Sequence, residues 1–250
     1  MKKLPILLLI ALASMGWVRA QTDSQSGGTA SQAAPSATAP IWGKLVVSGN
    51  DVTCYYGTGL TTPKTWTQIG APVTINFINN PILVGIFATS HNANALTTGT
   101  IDNFSITPTP SFRLADSDIG APSLMGSANL INGVWTISAS GADIWGSSDQ
   151  FNFQPWLVTS DCTIICRITS ISAGDPWQKV GIMVRDGYNS GSDYAMFCAT
   201  PGNGVNFQYR TNFDNNNDVT ELVAPATPGV VASIAVGYSP TGSTAYVVRP

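Results

Sequence analysis

The chain carries little charge, and that scarcity narrows its chemistry. Only 10% of residues are charged, Lys and Arg together number 11, and the net charge is −3. No basic stripe or basic amphipathic helix is present, which argues against the footprint of a nucleic-acid binder. There is one Glu, Glu221, and one His, His91. A zinc site needs several His or Cys ligands at suitable spacing, so a single His speaks against one. A nucleophilic triad needs a base held by an acid beside a hydroxyl or thiol. Ser90 adjoins His91 in "TSHNANA", but neighbours on a strand point to opposite faces. His91 therefore reads as a loop-edge residue that hydrogen-bonds locally.

Residues 1–20 read as a secretory signal peptide. Lys2 and Lys3 precede the apolar run "LPILLLIALASMGW", and "VRA" supplies small residues before Gln21. No second long apolar run follows, so export into a secreted or cell-surface location without membrane insertion is expected. Residues 21–40, "QTDSQSGGTASQAAPSATAP", hold almost no large side chain. Such a stretch buries too little to offset its ordering entropy and reads as a disordered linker. About 210 residues then remain, enough for one large β domain or two small ones; the reading preferred is a single domain over 41–250.

What is abundant after the leader is alternation. "KLVVSG", "VTINFI", "VGIFATS", "GTIDNFSI", "GVWTISAS", "CTIICRITSI", "KVGIMVR", "YAMFCAT", "VNFQYRT" and "VASIAVGY" are β-branched or aromatic runs broken by Gly, Pro, Asn and Asp. Short strands at close intervals indicate an all-β sandwich or barrel. In the stretch "DPWQKVGIMVRD" (175–186), Val180, Ile182 and Val184 would face one way. Lys179, Gly181, Met183 and Arg185 would face the other.

Several segments carry a family resemblance. "GADIWGSSDQFNF" (141–153), "SDCTIICRITSI" (160–171), "DPWQKVGIMVRD" (175–186) and "GVNFQYRT" (204–211) resemble the concanavalin A-like, LamG-like sandwich domains of bacterial secreted proteins. "TWTQIGAPVTINF" (65–77) and "VGIFATSHNANALTTGTIDNFSIT" (84–107) are similar to the closing part of that family. The resemblance implies an antiparallel two-sheet jelly roll. Its halves come in exchanged order: residues 41–107 resemble the family's C-terminal half and 116–250 its N-terminal half. A circular permutation joined through "PTPSFRLA" (108–115) is one reading, and two half domains cut from a tandem array is the other. Permutation is preferred because an orphan half would expose an open core and a bare sheet edge. It implies that strand 100–106 lies beside one from 116–140, and that "STAYVVRP" lies close to the strand near Trp42.

The family's sandwich glycosidases commonly place two Glu on one strand, which this chain cannot do. Asp can serve instead, and Asp143 and Asp149 are the pair to weigh. Against it stands turn capping by Asx side chains. Calcium is the metal the resemblance allows, on Asp214, Asn216 and Asp218 of "FDNNNDV"; a polar hairpin loop is the other reading. Cys54, Cys162, Cys166 and Cys198 read as buried thiols, with Cys166–Cys198 the first disulfide to test. Trp145 and Trp177 sit in turn-like contexts, where they either form a sugar-binding surface with Asp143, Asp149, Lys179 and Arg185 or pack over a sheet edge. Asp143, Asp149 and Asp186 are candidate ion-pair partners for Lys179 and Arg185, in a structural network on the sheet or lining a ligand groove. The function implied is a non-catalytic secreted module that binds carbohydrate or another extracellular ligand and needs no cofactor. The alternatives are a structural or adhesive surface protein and an Asp-based glycoside hydrolase.

Overall fold

The structure is a computed structural model that describes residues 20–21, 29–34, 37–75, 77, 81–110, 112–211, 233–235 and 247–249. The first part of the chain forms β1 (Ala20–Gln21), β2 (Thr29–Ala34), β3 (Ile41–Ser48), β4 (Asp51–Gly57), β5 (Thr67–Thr74), β6 (Ile82–Thr89) and β7 (Asn92–Thr107). Then come β8 (Phe112–Arg113), β9 (Ser117–Ile119), β10 (Ser127–Ile131), β11 (Val134–Gly141), β12 (Ile144–Trp145), β13 (Ser148–Asp149) and β14 (Phe151–Val158). The last are β15 (Cys162–Ile171), β16 (Lys179–Arg185), β17 (Tyr194–Ala199), β18 (Val205–Arg210), β19 (Ser233–Ala235) and β20 (Val247–Arg249). There is no helix among the described residues, and so none long and apolar enough to cross a membrane.

Two large antiparallel sheets form a β-sandwich. The first runs β1-β2-β18-β17-β16-β6-β14-β8, with β9 also on β14; the second runs β10-β11-β7-β15-β3-β4-β5. Between them lies one core, to which Leu45, Val84, Ile86, Ile101, Ile137, Ile164, Val180, Ile182 and Val184 belong. Segments 41–107 and 116–211 both line it. Strand β7 pairs with β11, with Ile101 opposite Trp135. This sets the segment resembling the family's close beside the one resembling its opening. The segment "STAYVVRP" falls mostly outside the described residues. The sheets approach closely at Gly43, where a Cβ would lie 2.1 Å from the Phe197 ring.

The first sheet is apolar on both faces. On β6, Val84, Ile86 and Ala88 enter the inter-sheet core, while Leu83 and Phe87 enter a second cluster on the outer face. Every residue of β6 and of β16 is buried. This explains why "ILVGIFAT" reads as a continuous apolar run rather than an alternating one. The alternation assigned to 179–185 holds, but the face bearing Lys179, Met183 and Arg185 is an interior and not an open surface.

Strand β14 carries Pro155, an unusual residue in a strand flanked on both sides. Its position resolves the difficulty. β9 pairs with 151–153 and β8 with 156–157, so Pro155 falls in the gap between them. Its carbonyl still accepts from Leu114 N at 2.9 Å.

Two expectations need correction. Residues 29–34, assigned to the linker, form β2 and pair along the whole of β18. Small side chains suffice because the strand is held by backbone partners and contributes only Ala34 to the core. Gln32 also ties it to the second sheet, where Ala71 N of β5 donates to Gln32 Oε1 at 2.7 Å; within the first sheet Gln32 Nε2 donates to Tyr209 OH at 3.3 Å. The Cys166–Cys198 disulfide is not formed. Cys166 lies on the second sheet and faces the inter-sheet core, whereas Cys198 lies on the first sheet and faces its outer cluster. All four cysteines are free and buried. Burial pushes the Cys162 thiol up to about 11 and the Cys198 thiol up to about 12, so both stay protonated and unreactive at neutral pH.

Gln32→Ala is expected to lower stability by about 0.5–1.5 kcal/mol, the net worth of the hydrogen bond from Ala71 N that it removes. Urea denaturation measures this, and an unchanged midpoint would mean that the Gln32–Ala71 tie adds nothing to the folded state.

Candidate functional site

The outer face of the first sheet is roofed by the β12–β13 hairpin, the loop 186–193 and the segment 112–119. Ile144, Leu114 and Ile119 from this roof join Phe87, Phe151, Phe153, Met183 and Met196 in the outer cluster. One carboxylate fastens hairpin and loop. Asp149 is completely buried, and its Oδ2 accepts from Arg185 Nη1 at 2.7 Å and from Arg210 Nη1 at 2.9 Å. Arg210 Nη2 donates to the other oxygen.

The remaining guanidinium donors meet loop carbonyls. Arg185 Nε donates to Gly187 O at 2.8 Å; Arg210 Nη1 donates to Ser192 O at 3.1 Å, and Arg210 Nε to Gly146 O at 3.0 Å. Asp149 N donates to Ser190 O at 2.9 Å. Tyr194 lies beneath both cations, 4.9 Å from the Arg210 guanidinium and 5.8 Å from that of Arg185. Gln208 Nε2 donates to Tyr194 OH at 2.9 Å and also to Ile144 O. Desolvation lowers the Arg185 pKa against the pull of Asp149. At Arg210 desolvation is again the largest single influence, but the Asp149 hydrogen bonds and the charges of Asp149, Tyr194 and Asp193 together outweigh it and leave the pKa raised. Both stay cationic.

At the rim of this roof lies a second, solvent-facing group. Lys179 is buried along its length and donates from Nζ to Asp143 Oδ1. His91 follows β6 and stands between two carboxylates: Nε2 is 3.5 Å from Asp143 Oδ2, and Nδ1 is 3.0 Å from Asp175 Oδ1. The Nδ1 contact is at ion-pair distance without hydrogen-bond alignment. Asp175 accepts from Trp177 N at 2.7 Å, and this bond, more than His91, holds its carboxyl below the usual range. Trp145, two residues past Asp143, and Trp177, two past Asp175, are each 45% exposed. Thus one polar group of His91, Asp143, Asp175 and Lys179 connects the two segments that carry exposed indoles.

No family model, curated protein or solved structure matches this chain. The chemistry therefore rests on the residues themselves. Asp149 is enclosed by two guanidiniums and has no face for a sugar ring, so Asp143 and Asp149 do not form an accessible carboxylate pair. Ser90 Oγ donates to Asn92 O at 2.6 Å, its own turn. Among the described residues no group of three or more His, Cys, Asp or Glu is placed to hold a metal. Asp214, Asn216 and Asp218 lie outside them.

The six residues singled out on the first sheet thus divide. Asp149 and Arg185 belong to the buried clamp; Asp143, Lys179, Trp145 and Trp177 belong to the rim. Arg210 and His91 are the partners that sequence reasoning missed. Arg210 closes the alternating run "VNFQYR", where Asn206, Gln208 and Arg210 share the outer face, and that was its only signal. The reading of His91 as a locally bonded loop residue is corrected: its contacts are 52 and 84 positions away in sequence, at Asp143 and Asp175.

Asp149→Asn removes the charged carboxylate that the two buried guanidiniums share. The expected cost is about 3–5 kcal/mol, read as a fall in melting temperature and faster proteolysis within 142–150 and 186–193. A melting temperature within a degree of the parent would refute the clamp.

Proposed function

We propose that the chain is a secreted, non-catalytic sandwich module that binds carbohydrate, or another extracellular ligand presenting hydroxyls on an apolar ring, at the rim bearing Trp145 and Trp177. One observation carries this reading: two half-exposed indoles flank a single charged and polar cluster. A flat apolar face beside fixed hydrogen-bonding groups is what recognition of a sugar needs. Asp143 and Asp175 supply acceptors, and the buried Lys179 holds Asp143 in place from beneath. Membership of the LamG-like family and the permuted strand order belong to the same proposal; the pairing of β7 with β11 supports the second of these. Export by cleavage before Gln21 is also part of it.

The adhesive alternative has its own support. Leu130, Ile131 and Val134 are exposed around the tip of the β10–β11 hairpin, with Leu124 and Met125 exposed nearby. An apolar group of this kind marks contact with another macromolecule more than with a small ligand.

A glycan array followed by titration of tryptophan fluorescence separates the two. Trp177→Ala is expected to weaken binding about tenfold, equivalent to 1.4 kcal/mol, with little change in melting temperature. A large stability loss with no effect on any glycan would instead make Trp177 a packing residue and leave the adhesive reading.

A further inference from the structure

The opposite outer face, that of the second sheet, carries a different constellation. Leu45 and Val47 of β3, and Val52 and Cys54 of β4, enter the core. Lys44 and Tyr55 therefore face outward, and they are direct cross-strand partners. Lys44 Nζ lies 4.2 Å from the Tyr55 ring centroid and 4.6 Å from that of Trp66, which arrives from the loop before β5. All three side chains are half-buried.

This ammonium meets ring faces rather than a carboxylate, as Arg113 does over Trp135. Arg167, Lys179, Arg185 and Arg210 each meet a carboxylate. Lys44 has no ion pair and no hydrogen-bond acceptor among the described residues. Ring faces attract its charge but give its three N–H groups no lone pair. Burial alone pulls its pKa below the ordinary value, as for a cation short of compensation. Lys64 adds an exposed charge two residues before Trp66. From Ile41 to Ile101 the only acid is Asp51, beside the β3–β4 turn, where it accepts from the Thr74 hydroxyl at 2.6 Å. Asp161 caps the same turn through Gly49 N at 2.7 Å. Asp102 is taken by Arg167. Among the described residues no carboxylate pairs with Lys44 or Lys64.

We infer that Lys44, Tyr55, Trp66 and Lys64 form a second binding surface, for an acidic polysaccharide whose sugar carboxylates meet the two ammonium groups and whose ring faces stack on Tyr55 and Trp66. Two cations are too few for the backbone of a nucleic acid, whereas one or two suit a polymer with one carboxylate per sugar. The surface is independent of the Trp145–Trp177 rim: the two lie on opposite outer faces of the sandwich.

The test uses the full chain and polygalacturonate, with fully methyl-esterified polygalacturonate as the uncharged control. Binding is measured by affinity electrophoresis and calorimetry at two salt concentrations. The expected result is binding of the acidic polymer only, weakened by salt, reduced about tenfold or more by Lys44→Met or Trp66→Ala and kept by Lys44→Arg. Trp177→Ala should leave it unchanged. Equal binding of the esterified polymer, or full affinity in Lys44→Met, overturns the inference. So does loss of binding in Trp177→Ala alone, which would move the acidic ligand to the rim. Should Trp66→Ala fail to fold, the Lys44 pair of variants and the ester control still decide.

Discussion

Asp149 is the residue on which the outer half of this molecule depends. Its carboxylate reaches Arg185 on a central strand and Arg210 near the sheet edge, while its backbone belongs to the β12–β13 hairpin. Because every partner is buried, the interaction acts in a medium where an unmatched charge is costly. Such a cluster adds little net stability over a well-packed apolar one. Its consequence is geometric: the hairpin and loop 186–193 have one position in which the guanidinium donors find carbonyls. This position closes the outer cluster over Phe87, Met183 and Met196.

The roof also decides what the solvent meets. Asp143 begins the hairpin, so fixing the hairpin sets Asp143 above Lys179 and beside His91. His91 in turn reaches Asp175 in the turn that leads into β16. Trp145 and Trp177 are exposed because each belongs to a segment whose neighbouring residues are already held. A binding surface mounted this way loses little conformational freedom when it is occupied. The second sheet is arranged differently. Among the described residues it has no roof comparable to the hairpin and loop, and its aromatic rings face a cation directly.

Chemistry is thus distributed by depth. Charges that a sequence reading places on a strand surface are interior here, and the groups left accessible are indoles, carboxylates at a rim and an ammonium between rings. Asp149 illustrates the point: its residue type suits acid–base work, yet its surroundings give it no access to a substrate. Composition names the available groups, and burial assigns them.

The all-β class was legible in the sequence because a period of two recurs in most segments after residue 40, with turn residues between. The direction of Val180, Ile182 and Val184 followed from the same period. For Trp145 and Trp177 the neighbouring Gly and Pro indicated turns, but the sequence left exposure and packing over a sheet edge both open. Other features depend on what stands opposite each face. Alternation tells which residues share a side of β16 but not that a hairpin about forty positions earlier covers that side, so the burial of Arg185 and Lys179 was hidden. Arg210 and His91 were missed because their partners are distant in sequence. Strand β2 was taken for linker because its own side chains are too small to hold it, and its order comes from the backbone of β18. Local pattern determines which way side chains point; only the tertiary structure determines which of those directions is inside, because burial depends on the whole chain.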